Sequence, residues 1–172
     1  MSRFSKTIIS VFIVGFILCT SAWATDKKPV FIFASGQEGR SILTARDEFI
    51  ENMSPFDRAV RMQSEKPVSV DQFLTFVGNN VVSWDKDDQE LIQKILSSLA
   101  PRLASYASFL PDRVYLIRTT GNEEGGAAYT RGNSIVFPRR FPLTDMVAIY
   151  KLISHEIFHI ISRQNTKTKD DL

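Results

Sequence analysis

PLTDMVAIYKLISHEIFHIISRQ, residues 142–164, is the stretch that decides the fold. Its apolar residues recur every three or four positions, a spacing that predicts one buried helix. Thr144 or Asp145 can cap the start of this helix, and Arg163 suits its end, where a positive charge is favourable. The apolar stripe comprises Met146, Ile149, Tyr150, Ile153, Ile157, Ile160 and Ile161.

The same helix carries both histidines of the chain, His155 and His159, in the pattern H-E-x-x-H. Residues four apart project from one helix face, so the two imidazoles can bind one tetrahedral zinc ion at about 2.0–2.1 Å. Glu156 can then act as the general base that takes a proton from a zinc-activated water. The alternatives are two ordinary histidines hydrogen-bonded to their neighbours, or a helical interaction protein with an accidental H-E-x-x-H.

Three upstream segments have the composition of β-strands. Residues 29–35 (PVFIFAS) and 113–120 (RVYLIRTT) are short runs rich in β-branched and aromatic residues. Residues 127–138 (AAYTRGNSIVFP) predict a second strand or a hairpin that turns at Gly132 and Asn133, unless Gly132 marks a bulge instead. Together with the helices, these segments predict a mostly helical α+β fold with a small sheet.

Helical periodicity and capping patterns account for most of the chain between the first two strands. Gly36 and Gly39 are expected to close the first strand. Ser69 and Gln72 predict a capping box at a helix start, whereas Pro101 is expected to kink or split the longest helix. The predicted helices are residues 44–53, a helix capped by Ser54, residues 69–80 and residues 87–109.

The N-terminal segment has the organisation of a secretory signal. Arg3 and Lys6 precede an apolar run over residues 8–18, and Ala22 and Ala24 form an A-x-A site. This order predicts a signal peptide over residues 1–24. A retained membrane anchor is the alternative, but it needs about 20 apolar residues and this run is shorter. We therefore expect an exported protein, periplasmic or secreted, with residues 25–172 as one domain and no stable membrane span after cleavage.

Signal cleavage changes the charge and the cysteine content. Loss of Arg3 and Lys6 from 21 basic residues leaves 19, equal to the 19 acidic ones. Nothing in this mature composition suggests a nucleic-acid-binding surface, for which a clustered basic face is expected. Cys19 is removed as well, so the mature protein can form no disulfide, and any metal site must use histidine and carboxylate. The oligomeric state is left open.

HEIFH on a buried helix, after a long helix and two strand-like runs, resembles the zincin metallopeptidases in a gluzincin-like form over residues 87–163. The resemblance implies hydrolysis of a peptide or protein substrate, with zinc bound by His155 and His159 and Glu156 as general base. It also implies a backing helix, and a sheet whose edge strand, within residues 127–138, aligns the substrate. SPFDRA, EEGGAAYTRGN and HE-x-FH-x-x-SR together are similar to uncharacterised exported bacterial proteins.

The third zinc ligand of that family has no clear counterpart. Metzincins place glycine and histidine where this chain has Ser162 and Asn165, and gluzincins use a glutamate from a later helix. Asp170 or Asp171 can be the third zinc ligand if the tail folds back. A partner chain or a lost C-terminal segment could supply this ligand instead. We therefore expect a zincin-like domain incomplete at its C-terminus. The alternative function is a catalytically inactive or truncated binding or structural module.

Four residues in and before the predicted hairpin are further candidates. Tyr129 and Arg131 alternate on a strand and can orient a substrate carbonyl or a developing oxyanion. Packing or surface exposure is the alternative for both. Glu123 and Glu124 can meet a substrate amine or a second metal, or they can form a solvated acidic turn.

Overall fold

The computed structural model describes residues 29–139 and 145–170, with side chains described as far as residue 164. The predicted signal peptide, residues 1–24, lies outside them. The described residues form an α+β fold with a small mixed sheet. The strands are β1 (Val30–Phe33), β2 (Val81–Val82), β3 (Arg113–Thr119), β4 (Tyr129–Arg131) and β5 (Ser134–Pro138). The α-helices are α1 (Gly36–Leu43), α2 (Glu48–Glu51), α3 (Pro55–Arg61), α4 (Val70–Asn80), α5 (Lys86–Leu103) and α6 (Met146–Asp170).

Strand β3 is the centre of the sheet. It pairs in parallel with β1 and β5, and β2 pairs with its last residues in the antiparallel direction. The strand order is β1-β3-β5-β4, with β4 antiparallel to β5 and at the edge of the sheet. Because parallel neighbours require long connections, helices α1 to α5 all lie between β1 and β3 in the chain.

Both faces of the sheet are covered by helices. Side chains alternate along a strand, so Val114 and Leu116 of β3 face one side, whereas Tyr115 and Ile117 face the other. Helices α5 and α6 cover the first side, which we call the α5–α6 face. Helices α1 to α4 cover the second, which we call the α1–α4 face.

The strand predictions are confirmed. Residues 29–35 contain β1, and residues 113–120 contain β3. The hairpin alternative is confirmed for residues 127–138, because β4 and β5 pair with Arg131 opposite Ser134 and a two-residue turn between them. The turn begins at Gly132, whose φ of 55° is a conformation that glycine adopts without steric cost.

The predicted helix over residues 44–53 and the role of the first two glycines are wrong. Gly36 begins α1 and Gly39 lies inside it, because the Ser35 side chain caps the helix by accepting a hydrogen bond from the first turn. Residues 44–53 contain only the four-residue α2, which Asp47 caps. The serine cap therefore favours a helix here, although the two glycines had predicted the end of a strand.

The starts of α3, α4 and α6 agree with the predicted caps, whereas α5 begins at Lys86 without a side-chain cap. Ser54 with Asp57 and Ser69 with Gln72 form capping boxes at α3 and α4. At α6 the Oδ1 atom of Asp145 accepts two amide hydrogen bonds, from the second and third residues that follow it. Asp145, one of the two caps that the sequence allowed, therefore caps α6.

The two long helices differ from the predictions at their ends. The predicted helix over residues 87–109 is α5 followed by a 3-10 helix, Ala104–Phe109, which begins three residues after Pro101. Helix α6 does not end at Arg163, since its backbone is helical through Asp170. No glycine or proline follows Arg163 to stop it.

Replacing Gly39 by alanine is expected to lower the free energy of unfolding by about 1–3 kcal/mol, because α1 lies tightly on the sheet. A Cβ atom there would lie 2.9 Å from Cγ2 of Ile117 and 3.2 Å from Cγ1 of Val81. Gly36→Ala is the matched control, since its Cβ would meet nothing closer than the Ser83 Oγ at 3.4 Å. Urea denaturation measures both; equal losses would contradict this packing.

Candidate functional site

The two histidines lie together on the exposed face of α6. Their Nε2 atoms are 2.9 Å apart, a hydrogen-bond distance that agrees with the alternative of histidines bonded to a neighbour, and both side chains are exposed. The rings stand at 87° to one another, with centroids 4.5 Å apart. Tetrahedral zinc holds two nitrogens about 3.3 Å apart, so an opening of a few tenths of an ångström would let both nitrogens bind one ion. The pair therefore fits two positions of a zinc site.

Among the residues whose side chains are described, 29–139 and 145–164, no group of three or more His, Cys, Asp or Glu side chains is placed to hold a metal. The backbone of α6 is continuous to Asp170, which therefore lies about 16 Å along the helix axis from His159. A folded-back tail, one of the sources of a third ligand that the sequence left open, is not the conformation of the backbone at Asp170, and Asp171 lies outside the described residues.

Glu156, between the two histidines in sequence, is buried. Its exposed fraction is 4%. Burial raises the pKa of this carboxyl above its ordinary value, while the nearby charges of His155 and Arg163 oppose the rise. A carboxylate with a raised pKa is a stronger proton acceptor, which is the property that a general base needs.

Arg163 links α6 to the edge of the sheet. Its Nη2 atom donates a hydrogen bond to Oγ1 of Thr130, the middle residue of β4. Burial lowers the pKa of Arg163, and Glu156 opposes this. Sequence reasoning assigned Arg163 only to the helix end, although seven residues, about two turns, separate it from Glu156 and place both on one face. The seven-residue spacing in the sequence therefore already indicated that Arg163 and Glu156 lie on the same face of the helix.

Tyr129 and Arg131 are not brought together with the histidines. Arg131 contacts the connection between α1 and α2, and Tyr129 packs with the core of the α1–α4 face. Thr130 between them points the other way, towards α6. The sheet therefore separates both predicted substrate-binding side chains from His155 and His159.

The guanidinium of Arg131 forms buried contacts within the protein. Its side chain is 3% exposed, and its Nε and Nη2 atoms lie 2.9 and 3.0 Å from the carboxylate oxygens of Asp47. It also donates hydrogen bonds of 2.5 Å to the carbonyl oxygens of Leu43 and Ala45. Tyr129 is half-buried, and burial raises its pKa. Arg131 therefore has a packing role in this structure, the alternative to the predicted contact with a substrate.

The acidic turn before β4 is only partly solvated. Glu124 pairs with Arg61 of α3, whereas Glu123 is 2% exposed. Neither carboxylate oxygen of Glu123 has a hydrogen-bond partner of good geometry among the described residues. Burial raises the pKa of Glu123, and the nearby Thr119 hydroxyl opposes the rise. A solvated turn is therefore the wrong description of Glu123.

Comparison of the chain with family models, with curated proteins and with solved structures finds no match. Among the described helices, none combines the length and the apolar character needed to cross a membrane. A fold class alone does not identify an activity, which depends on the residues of the site.

Arg131→Ala is expected to lower the free energy of unfolding by about 3 kcal/mol, because it leaves Asp47 and two carbonyl oxygens without their donor. Arg46→Ala is the control: Arg46 makes only surface ion pairs and its side chain is 53% exposed, so its loss should cost less than about 1 kcal/mol. Chemical denaturation compares the two. If Arg131→Ala were as stable as Arg46→Ala, the buried contacts would not support the fold.

Glu123→Gln is expected to gain stability over the natural protein as pH rises. A carboxyl whose pKa is raised on folding contributes stability below its unfolded pKa of about 4.5 and loses it as pH rises through the folded pKa. Glutamine does not titrate, so the difference in unfolding free energy should grow from pH 4 to pH 8. Glu65→Gln, at an exposed position, controls for the lost charge; a flat difference for Glu123→Gln would refute the effect.

Proposed function

We propose that this protein is an exported zinc metallopeptidase of the zincin type, a hydrolase of peptide bonds in peptide or protein substrates. One observation carries the proposal: the Nε2 atoms of His155 and His159 converge to 2.9 Å on the exposed side of a helix that otherwise packs in the core. The intervening Glu156 is buried beside them.

Each of the three residues has one role. His155 and His159 hold the metal through their Nε2 atoms. Zinc, when bound, lowers the pKa of water and polarises the scissile carbonyl. Glu156 accepts the proton of the attacking water at its carboxylate and passes it to the leaving amine. Arg163, whose charge is felt by Glu156, favours the ionised form of that carboxylate.

The surrounding architecture supports this assignment. Helix α5 packs beside α6 on the same face of the sheet, as the zincin resemblance implies for a backing helix. Strand β4 is at the sheet edge, and Thr130 of β4 is tied to Arg163 of α6. An extended substrate that adds to this edge by backbone pairing would lie near α6. With only Tyr129–Arg131 in the strand, the edge can align a short segment.

The second candidate function is a zincin-like binding or structural module without catalysis. The ligand count favours it, since the described residues offer two zinc ligands where a catalytic site uses three. Such a module would bind a peptide at the sheet edge with no dependence on metal. Zinc content and the behaviour of Glu156 variants separate the two functions.

The test is zinc content and hydrolysis of a fluorescently labelled unfolded protein by three forms: the natural protein, His155→Ala and Glu156→Gln. We expect zinc in the natural protein and its loss in His155→Ala. Glu156→Gln should keep its zinc and lose hydrolysis by about 10²–10⁴-fold, the usual contribution of a general base.

Tyr150→Phe is a suitable control, because Tyr150 lies on α6 but contacts Arg102 instead of the histidines. It should keep both zinc and activity. Absence of zinc from the natural protein would refute the peptidase. Zinc without any hydrolysis would leave the binding module as the function.

A further inference from the structure

Glu123 is a buried carboxyl without a compensating charge. Its exposed fraction is 2%, and neither carboxylate oxygen has a hydrogen-bond partner of good geometry among the described residues. Burial raises the pKa of this carboxyl, and the nearby Thr119 hydroxyl opposes the rise, but no described cation does so. Ionising the carboxyl here costs free energy, because the charge is held away from water and is left unpaired. The structure therefore favours the protonated, neutral form.

The titratable and charged side chains around Glu123 are engaged in other ways. Tyr129 of β4 stays neutral, because burial and then the charge of Glu123 raise the pKa of its hydroxyl. Arg61 of α3 pairs with Glu124, and Arg131 of β4 is held in its own buried ion pair. Neither of these cations is therefore placed to neutralise an ionised Glu123.

The segment that carries Glu123 joins the central strand β3 to the edge strand β4. We call residues 121–126 the connecting loop. Asn122 of this loop donates a hydrogen bond of 3.2 Å to Asn80 of α4, so α4 presents an uncharged amide here. The ion pair of Glu124 attaches the loop to α3. The loop is thus attached to two helices of the α1–α4 face, directly beside the buried acid.

A glycine lies at each end of the turn that carries Glu123. Gly121 and Gly125 flank the short 3-10 helix Asn122–Glu124, with φ angles of 89° and 61°. Glycine adopts such angles at no steric cost and can leave them as easily. A Cβ atom at Gly125 would meet nothing within 4 Å, so no packed neighbour holds this end of the turn in place. The turn can therefore rotate about its two glycines and bring the Glu123 carboxyl into water.

We propose that the connecting loop is a pH-operated latch, which is closed while the Glu123 carboxyl is protonated and opens locally when that carboxyl ionises. The proton passes to the solvent, and rotation of the turn then lets water hydrate the carboxylate. This inference does not depend on the proposed peptidase, because neither His155 nor His159 takes part in it.

The latch is most stable at low pH. In the closed loop the pKa of Glu123 is raised above the ordinary value of about 4.5, which the carboxyl regains when the loop opens. Closure is therefore fully stabilised below about pH 4.5 and weakens as the pH rises through the raised pKa. Between these two values the ratio of open to closed loops grows by about tenfold per pH unit, because opening releases one proton.

Opening changes the surface between α3 and the sheet edge. A cavity of about 420 Å³ lies there, with Glu124 and Gly125 of the loop on one side and residues of α3 on the other. When the loop moves outwards, the cavity widens and Arg61 loses its ion pair. Because the loop leads directly into β4, a rise in pH also loosens the segment that precedes the sheet edge.

The experiment is hydrogen exchange of the purified protein from pH 4 to pH 8, read by mass spectrometry and corrected for the intrinsic effect of pH on exchange. The loop is reported by the amide of Gly126, which donates a hydrogen bond of 2.7 Å to the carbonyl oxygen of Gly121. Peptides from the centre of β3 report global unfolding. We expect the loop to be less protected than β3 at every pH, and its protection to fall by up to about tenfold per pH unit before it levels off.

Two neighbouring variants identify the titrating group. Glu123→Gln keeps the size of the side chain and removes its titration, so its loop should keep one protection factor from pH 4 to pH 8. Glu124→Gln loses the pairing with Arg61 but keeps Glu123, so its loop should be less protected by a similar factor throughout and retain the pH dependence. Circular dichroism verifies that both variants fold.

Gly125→Ala tests the hinge. An alanine held at this positive φ costs free energy, so we expect loop protection to fall by about 5- to 30-fold at every pH, although the added Cβ atom meets no neighbour. Unchanged protection in this variant would contradict rotation about Gly125.

Three results would overturn the latch. The first is loop protection that does not change with pH in the natural protein. The second is the same pH dependence in Glu123→Gln, which would assign the titration to another group. The third is loop protection equal to that of β3 at every pH, because Glu123 would then reach water only on global unfolding.

Discussion

Burial of strand β3 on both faces is the constraint on which the rest of the structure depends. Leu116 and Ile117 are adjacent, point to opposite sides of the sheet, and are 0% and 1% exposed. A strand paired in parallel with two neighbours needs helices on both faces, since its crossovers run there and both sets of apolar side chains must leave water. Helices α1 to α4 therefore occupy one side, and α5 with α6 occupy the other.

This two-sided arrangement decides which candidate residues form one site. Along β4, Thr130 faces α6 and its Arg163, whereas Arg131 faces the other way and binds Asp47. Because side chains alternate in direction along β4, Thr130 contacts the helix that carries the histidines, whereas Arg131 forms a buried ion pair on the other face. The same pairing makes β4 the link between the sheet edge and the proposed catalytic helix.

The proposed function uses the side of α6 on which His155 and His159 are exposed. In that proposal the two histidines would hold a zinc ion and leave its other positions to water and substrate. Glu156, the next residue after His155, is buried at 4% exposure, which raises the pKa of its carboxyl.

The sequence by itself determined the elements whose signals are local. The apolar periodicity of residues 142–164 determined the buried helix, its four-residue histidine spacing determined the pair, and Ser54 and Ser69 determined two helix starts. These patterns need only neighbouring residues to form. Tertiary structure decided the contacts between distant segments: the burial of Glu123, the pairing of Arg131 with Asp47, and the bond from Arg163 to Thr130. The order of the strands and the side of the sheet to which each side chain points depend on helices packing on both faces of β3. No local sequence pattern encodes that packing.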